Sequence, residues 1–303
     1  MSENEYQDYI IRATAAEGRV RAFAATSRDL VETYRQYMNS SPTITAAVGR
    51  TLTGTVMMGS MMKSERDRIT VQFDGDGPAG RILATADAQG HVKGYCANPQ
   101  VDLPPNSKGK LDVGGAVGKG TLTVIRDEGL KEPYSGQVSL VGGEIAEDLT
   151  YYFAVSEQVP SSVALGVLMN HNNTVREAGG FIVQMMPGAT DADIDRIEDN
   201  LHDLPPVTTL LKQGDTPEKL VERVLNGLQP EIYGRMPIGY RCDCSRERFA
   251  RGIASIRRPD IQEMIDDGKD IEVVCRFCGK KYTFSPDELR EMLAARDQKK
   301  AAD

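Results

Sequence analysis

Four of the five cysteines fall in two close pairs near the end of the chain. Cys242 and Cys244 form CxC, 30 residues intervene, and Cys275 and Cys278 form CxxC. Two such pairs can offer four thiolates to one ion. Zinc suits that donor set, because it favours tetrahedral sulfur coordination, and CRFCG, with Gly279 permitting a tight turn, has the form of a knuckle presenting both sulfurs to a single ion. Iron–sulfur ligation uses the same residues, and four ordinary buried cysteines are the plain alternative. The CxC half is unusual among structural zinc sites and opens a second chemistry. Sulfurs at i and i+2 lie close enough to bridge, with strain, and CxxC can also close on itself; either bridge removes two ligands at once. Arg241, Arg246, Arg248, Arg276, Lys280 and Lys281 flank the cysteines. They form a solvated basic surface or favour the reactive thiolate.

The segment holding these sulfurs needs them. Residues 240–303 carry 14 basic and 13 acidic residues and only about a dozen sizeable apolar side chains, among them Ile253, Ile261, Phe277, Tyr282 and Phe284. A unit of roughly 60 residues with so thin a core usually requires a staple. Structural zinc contributes on the order of 10–16 kcal/mol of apparent binding free energy, against about 5–15 kcal/mol for ordinary domain stability. Oxidising the ligands is therefore expected to unfold the module, as a redox fuse.

Upstream, the pattern predicts an α+β fold. GRVRAFAAT alternates as a strand, Ser27 caps a helix over SRDLVETYRQYM, and a second helix runs from Pro42 to Met57, Met58, Met61 and Met62, an adaptable apolar face that reads as core or as a surface for varied partners. Residues 68–141 read as an antiparallel sheet, 144–158 as a helix, and SSVALGVLM and GGFIVQMM as two strands joined across His171, Asn172 and Asn173. The expected organisation is an antiparallel-sheet-plus-helices domain over 1–188, a helical linker over 189–235 with ten acidic and five basic residues, and a small zinc-binding domain over 236–303. Two helical patterns flank Leu204, Pro205 and Pro206 in the linker. In the second, Thr216 serves as cap, Pro217 follows, and Asn226 with Gly227 stops the run. Its stripe of Leu220, Val221, Val224, Leu225 and Leu228 must dock on an apolar face, and the first domain is the obvious partner.

Composition narrows the function. The 303 residues hold 36 basic and 44 acidic side chains, a net charge of -8, which is the wrong sign for a dedicated nucleic-acid binder. The first eight residues lack a basic and apolar leader, so a reducing cytoplasm is expected, and Pro42–Met62, with Arg50 and six Thr or Ser residues, reads as a buried helix and not a membrane span. Gly75, Gly77 and Gly80 match GxGxxG but read as a hairpin turn, and GGAVGKGT lacks the glycine spacing and the hydroxyl of a phosphate loop. His91, His171 and His202 are scattered and read as surface or turn residues; Cys96 reads as a small buried apolar residue. No nucleophile, base and orienting acid assemble, so no catalytic residue is expected.

Taken together, CDCSRERF at 242–249 and CRFCGKKYTF at 275–284, with GDGPAG, GYCANP, SEQVPSS and AGGFIVQMMPG in that order upstream, resemble the heat shock protein 33 family of redox-regulated molecular chaperones over nearly the whole chain. The resemblance implies a cytoplasmic, ATP-independent holdase, inactive while reduced and holding one zinc on Cys242, Cys244, Cys275 and Cys278. It implies that oxidation pairs Cys242 with Cys244 and Cys275 with Cys278, releases the zinc and loosens the linker, so that unfolding client proteins are bound, typically with dimerisation. Neither an enzymatic activity nor a nucleic-acid or membrane partner is implied. Two other classes fit parts of the sequence: a thiol–disulfide oxidoreductase using CxxC, and a zinc-ribbon nucleic-acid module suggested by the aromatic and Lys residues of CRFCGKKYTF.

Overall fold

The computed structural model describes residues 8–302. The segment 1–7, on which the expectation of no leader mostly rests, lies outside the described residues. The chain forms two compact units that divide between Arg241 and Cys242. In chain order the first holds β1 (Tyr9–Ala15), β2 (Val20–Thr26), α1 (Arg28–Met38), α2 (Pro42–Gly59), β3 (Arg68–Gly75), β4 (Ile82–Asp87), β5 (His91–Cys96), α3 (Val113–Val117), β6 (Gly120–Asp127), β7 (Tyr134–Ser139), α4 (Ala146–Val155), β8 (Ser161–Met169), β9 (Val175–Met185), α5 (Asp191–His202), α6 (Val207–Lys212), α7 (Pro217–Val224), β10 (Glu231–Pro237) and β11 (Gly239–Tyr240). The second holds α8 (Arg246–Ala254), α9 (Arg258–Asp266), β12 (Ile271–Val274), β13 (Lys281–Phe284) and α10 (Pro286–Ala302).

The first unit is built on two sheets. One has the antiparallel order β10-β1-β2-β9-β8; the other runs β11-β5-β4-β3-β6-β7, antiparallel except for the short parallel pair β11 and β5. Helix α2 packs on strands of both sheets and is buried along nearly all its length, Met57 and Met58 included, which settles that face as core. Its threonines are tolerated there because each hydroxyl donates to the carbonyl one turn back: Thr51 to Ala47 at 2.9 Å, Thr53 to Gly49 at 2.8 Å and Thr55 to Thr51 at 2.7 Å. Among the described residues no helix is long and apolar enough to cross a membrane.

The two glycine-rich stretches that mimic phosphate loops pack on each other. The Gly77 N–H donates to the Val117 carbonyl at 3.0 Å, the Asp76 N–H to the Lys119 carbonyl at 2.8 Å, and the Lys119 N–H to the Asp76 carboxylate at 2.7 Å. A Cβ on Gly75 would sit 1.8 Å from the Val117 oxygen, so glycine is required for this close approach.

The acidic segment after β9 differs from its expected two helices. The second expected helix is α7, and a short additional helix, α6, fills the stretch between the Leu204, Pro205, Pro206 break and Thr216, ending after six residues ahead of Gly214 at φ +89°. Thr216 caps α7 as expected, its hydroxyl accepting from the Lys219 N–H at 3.5 Å. The apolar stripe docks as its spacing requires: Leu220, Val221, Val224 and Leu225 join Ile11, Val20, Ala22, Phe181 and Val183 in one buried cluster, with Leu228 at its edge. Polar ties fix the same helices. Arg19 donates to Asp193 at 2.9 Å and holds that carboxyl well below the usual range, Arg223 donates to Asp215 at 2.6 Å, and the Tyr9 hydroxyl donates to Glu218 at 2.8 Å. Residues 231–237, assigned to the linker and the start of the zinc segment on composition, instead form the edge strand β10 beside β1, and 239–240 extend the other sheet beside β5. They therefore belong to the first unit: backbone pairing, which leaves no apolar signature, decides their place.

One buried acid gives a pH signature. Asp8 is 3% exposed, accepts from the Leu30 N–H at 2.8 Å at the start of α1, and lies near the like charge of Asp29. Burial raises its pKa from 3.8 to about 6. The folded state then holds a proton that the unfolded state has released between those values, so this group costs stability progressively as pH rises through that window. Asp8→Asn is accordingly expected to gain over wild type as pH climbs from about 4 to about 6, by roughly 2 kcal/mol, and then level off. Denaturant midpoints measured across that range check it, and a pH-independent difference contradicts it.

Candidate metal centre

The sulfur site lies wholly within the second unit. Cys242 and Cys244 precede α8 on an extended stretch, where residues two apart face the same way. The intervening Asp243 is exposed and pairs with Arg248 at 2.6 Å. Ser245 then caps α8, accepting from the Arg248 N–H at 3.2 Å, which fixes where the CxC stretch ends. Cys275 and Cys278 occupy the connection between β12 and β13, whose register pairs Val274 with Lys281 and Val273 with Tyr282. The Cys275 N–H donates to the Lys280 carbonyl at 2.9 Å and the Gly279 N–H to the Cys275 carbonyl at 2.8 Å, with Gly279 at φ +69°. That tight turn is the knuckle expected from CRFCG.

The fold brings all four predicted sulfurs together within 4.8 Å of one another. Two approaches run across the pairs: Cys242 to Cys275 at 3.6 Å and Cys244 to Cys278 at 3.5 Å. A zinc–sulfur bond of about 2.3 Å in a tetrahedron places sulfurs about 3.8 Å apart, so the 3.6 Å and 3.5 Å approaches are compatible with one zinc ion. Cys275 is buried and the other three are half-buried. As thiols they differ: burial pushes Cys242 up and lifts Cys278 to about 11, whereas at Cys244 the effect of burial is outweighed by the Tyr282 hydroxyl and neighbouring sulfurs, and its pKa falls. The CxxC is not followed by a helix start of the kind that activates redox thiols, since β13 comes next.

Around the sulfurs the apolar support is small. Ile253, Ile261, Ile265, Tyr282, Phe284, Leu289 and Leu293 form the unit's core, with Phe249 and Cys244 at its margin. Arg246 ties the CxC side to the hairpin, donating to the Thr283 carbonyl at 2.6 Å and to Glu288 at 2.5 Å, and stacking on Phe284 at 4.4 Å. Arg296 of α10 donates to the carbonyls of Ala254 at 3.0 Å and Ile256 at 2.6 Å, closing the end of α8. Of the flanking cations, Arg246 and Arg248 are thus held in structural pairs.

The remaining sequence candidates lie in the first unit. Cys96 ends β5, buried at 5% exposure, where its thiol donates to the Ala79 carbonyl at 3.2 Å and burial raises its pKa to about 11. His91 is half-buried and meets Asp87 at 3.0 Å, while His171 and His202 are exposed. None of these joins the sulfurs. Tyr282, by contrast, escaped the sequence reading: its hydroxyl lies 3.2 Å from the Cys244 sulfur. An aromatic residue four positions after CxxC gives no hint of that contact, which arises only when the hairpin folds back on the CxC stretch.

Fold and site together define a two-unit protein, an α+β body and a small four-cysteine module of zinc-site geometry. The family model described as "Hsp33 protein" matches residues 8–285, and the chain belongs to that family. It is 54% identical to the "33 kDa chaperonin" of Lachnoclostridium phytofermentans, an alignment covering 94% of this chain and 98% of that one, and 47% identical to the "33 kDa chaperonin" of Bacillus subtilis, covering 96% and 99%. The crystal structure of a 33 kDa chaperonin, a heat shock protein 33 homolog from Thermotoga maritima, superposes with a TM-score of 0.88 at 38% identity over 96% of this chain and 99% of that one.

Proposed function

We propose that this chain is an ATP-independent holdase chaperone whose binding surface is controlled by oxidation of the four-cysteine module. The observation that carries the proposal is the tetrahedral clustering of Cys242, Cys244, Cys275 and Cys278 on a core of few apolar side chains, in a chain whose relatives carry the name chaperonin. In the reduced state the four thiolates are the ligands of one zinc ion. Bound there, zinc supplies the cross-link that the small core lacks.

Oxidation by peroxide or hypochlorous acid proceeds at the sulfurs. With peroxide, one thiolate attacks, forming an S–O bond and expelling hydroxide as the O–O bond breaks; a second thiolate displaces the remaining hydroxide and closes an S–S bond. Two electrons leave each pair of sulfurs. Pairing Cys242 with Cys244 and Cys275 with Cys278 removes all four ligands and leaves the two halves of the module unconnected, whereas crosswise bonds along the 3.6 Å and 3.5 Å approaches would staple it shut. The within-pair arrangement requires local loosening first, which fits activation under conditions that also unfold proteins.

The functional division takes residues 1–188 as the chaperone body and the acidic segment from 189 as the linker, with the switch expected over 236–303 starting instead at Cys242, because β10 and β11 pair within the first unit. The stripe of α7 covers the sheet face formed by Ile11, Val20, Ala22, Phe181 and Val183, apolar surface suited to unfolding clients once uncovered. The protein acts by binding in a reducing cytoplasm, dimerising on activation, with no turnover and no nucleic-acid or membrane partner. Light scattering from a thermally unfolding model substrate tests this. The oxidised protein is expected to suppress aggregation and the reduced protein to have little effect; equal behaviour contradicts the proposal.

A further inference from the structure

Resting on the thiolate reading above, the geometry points to Tyr282 as a positioning residue of the site, one whose hydroxyl donates to the Cys244 sulfur and restrains its attack on oxidants. The hydroxyl lies 3.2 Å from that sulfur and 3.2 Å from the Cys244 carbonyl. Of the two acceptors the thiolate carries the full charge, so its hydrogen bond is the stronger. The ring cannot easily swing away. It is 8% exposed, belongs to the module's core, packs on Phe249 with centroids 5.0 Å apart, and has the Lys280 ammonium 5.5 Å from its centre. Phe249 follows the CxC stretch on α8, while Tyr282 lies on the hairpin that carries CxxC. One side chain therefore spans both halves of the site and brings its only donor within reach of one sulfur of four, alongside that residue's carbonyl.

A donated hydrogen bond draws electron density from the sulfur lone pairs, and the sulfur must give up that bond as it forms a new one to oxygen. In the reaction with peroxide the S–O bond at Cys244 forms while the O–O bond breaks and hydroxide leaves; Tyr282 keeps its proton throughout and transfers none. The consequence is a raised threshold. The Cys242–Cys244 pair, which holds one half of the module, is defended against trace oxidant, and the switch waits for sustained stress.

Tyr282→Phe removes the hydroxyl and keeps the ring, so packing and melting temperature are expected to stay close to wild type. The zinc-loaded, reduced full-length protein is treated with substoichiometric iodoacetamide, and singly alkylated species are mapped by fragmentation mass spectrometry. The ratio of label at Cys244 to label at Cys278 is expected to rise roughly fivefold in Tyr282→Phe, the order of effect of one ordinary hydrogen bond, because the bond is only partly given up when the sulfur attacks. Phe249→Leu, which loosens the ring but keeps the hydroxyl, is expected to move the ratio far less. An unchanged ratio in zinc-loaded Tyr282→Phe overturns this inference alone, as does an equal rise in Phe249→Leu. A reduced wild-type protein that holds no zinc overturns the thiolate reading, and this inference with it.

Discussion

Replacing Cys275 with serine is expected to leave the module that starts at Cys242 without a stable fold while the unit ending at Arg241 keeps its own. Cys275 is 3% exposed, anchors the knuckle through the Lys280 carbonyl, and meets Cys242 at 3.6 Å. Serine retains the size but not the thiolate, so the four-sulfur set is broken. The apolar cluster around Ile261 and Phe284 is too small to compensate for loss of a structural metal site, which contributes on the order of 10 kcal/mol. Amide hydrogen exchange resolves the two units separately: exchange over α8, α9 and the β12–β13 hairpin should approach that of an unfolded chain, whereas α2 and β9 stay protected. Protection of α8 and α9 at wild-type levels would show that the core holds without the site.

The second large effect belongs to the acidic helices. Val221→Asp places a carboxylate at a position 1% exposed, among Ile11, Val20 and Phe181. The cluster around that position is apolar, so the cost is about 4 kcal/mol or more. An eight-residue helix cannot persist on its own once detached. Helix α7 is therefore expected to release from the sheet, with rapid exchange over 217–228, binding of a hydrophobic dye, and suppression of client aggregation in the reduced state, without oxidant. The reduced variant would separate two roles: release of α7 with no gain in client binding would place the binding surface elsewhere on the molecule.

The site was readable from the sequence because its information is local. CxC and CxxC state their own ligand spacing, and the thin core between and after them states the need for a staple. The central strands were readable for a related reason. Residues 68–75, 82–87 and 120–127 alternate as half-buried strands must, and α2 shows its burial in an apolar and small-residue run interrupted by Arg50. The edges were not readable. In β10, EIYGRMP is exposed along almost its whole length, with Ile232 at 39% and Tyr233 at 52%, so no apolar alternation marks it. It becomes a strand by pairing with β1 more than 200 residues away, where Arg235 stacks on Tyr9 at 3.7 Å. Nor does β1 alternate, since Ile10 and Ile11 are both buried and the register shifts between Ile11 and Arg12. Helix α6 is six residues between the proline break and the Thr216 cap, too short a run to show a helical period, and the Tyr282 contact turns on the meeting of two segments 38 residues apart. Long-range pairing and side-chain meetings of this kind leave no mark in local pattern.

The polar ties on α5 and α7 also give the docked linker a character of its own. Arg19 with Asp193, Arg223 with Asp215 and Tyr9 with Glu218 each join partners of which at least one is substantially sheltered from solvent. Apolar burial supplies the attraction, the Arg19 and Tyr9 contacts tie α5 and α7 to the strands beneath them, and the Arg223–Asp215 pair holds α7 to its own preceding turn.

The central claim is that four thiolates and one zinc ion maintain the fold of the second unit. Its most direct test is a stepwise peroxide titration of the reduced, zinc-loaded protein, recording free thiols, zinc captured by a chromogenic chelator and far-ultraviolet circular dichroism on the same samples. The account predicts that zinc appears in step with the loss of four thiols, and that the helical signal contributed by α8, α9 and α10 falls with it. Quantitative zinc release with the helical signal intact would contradict it.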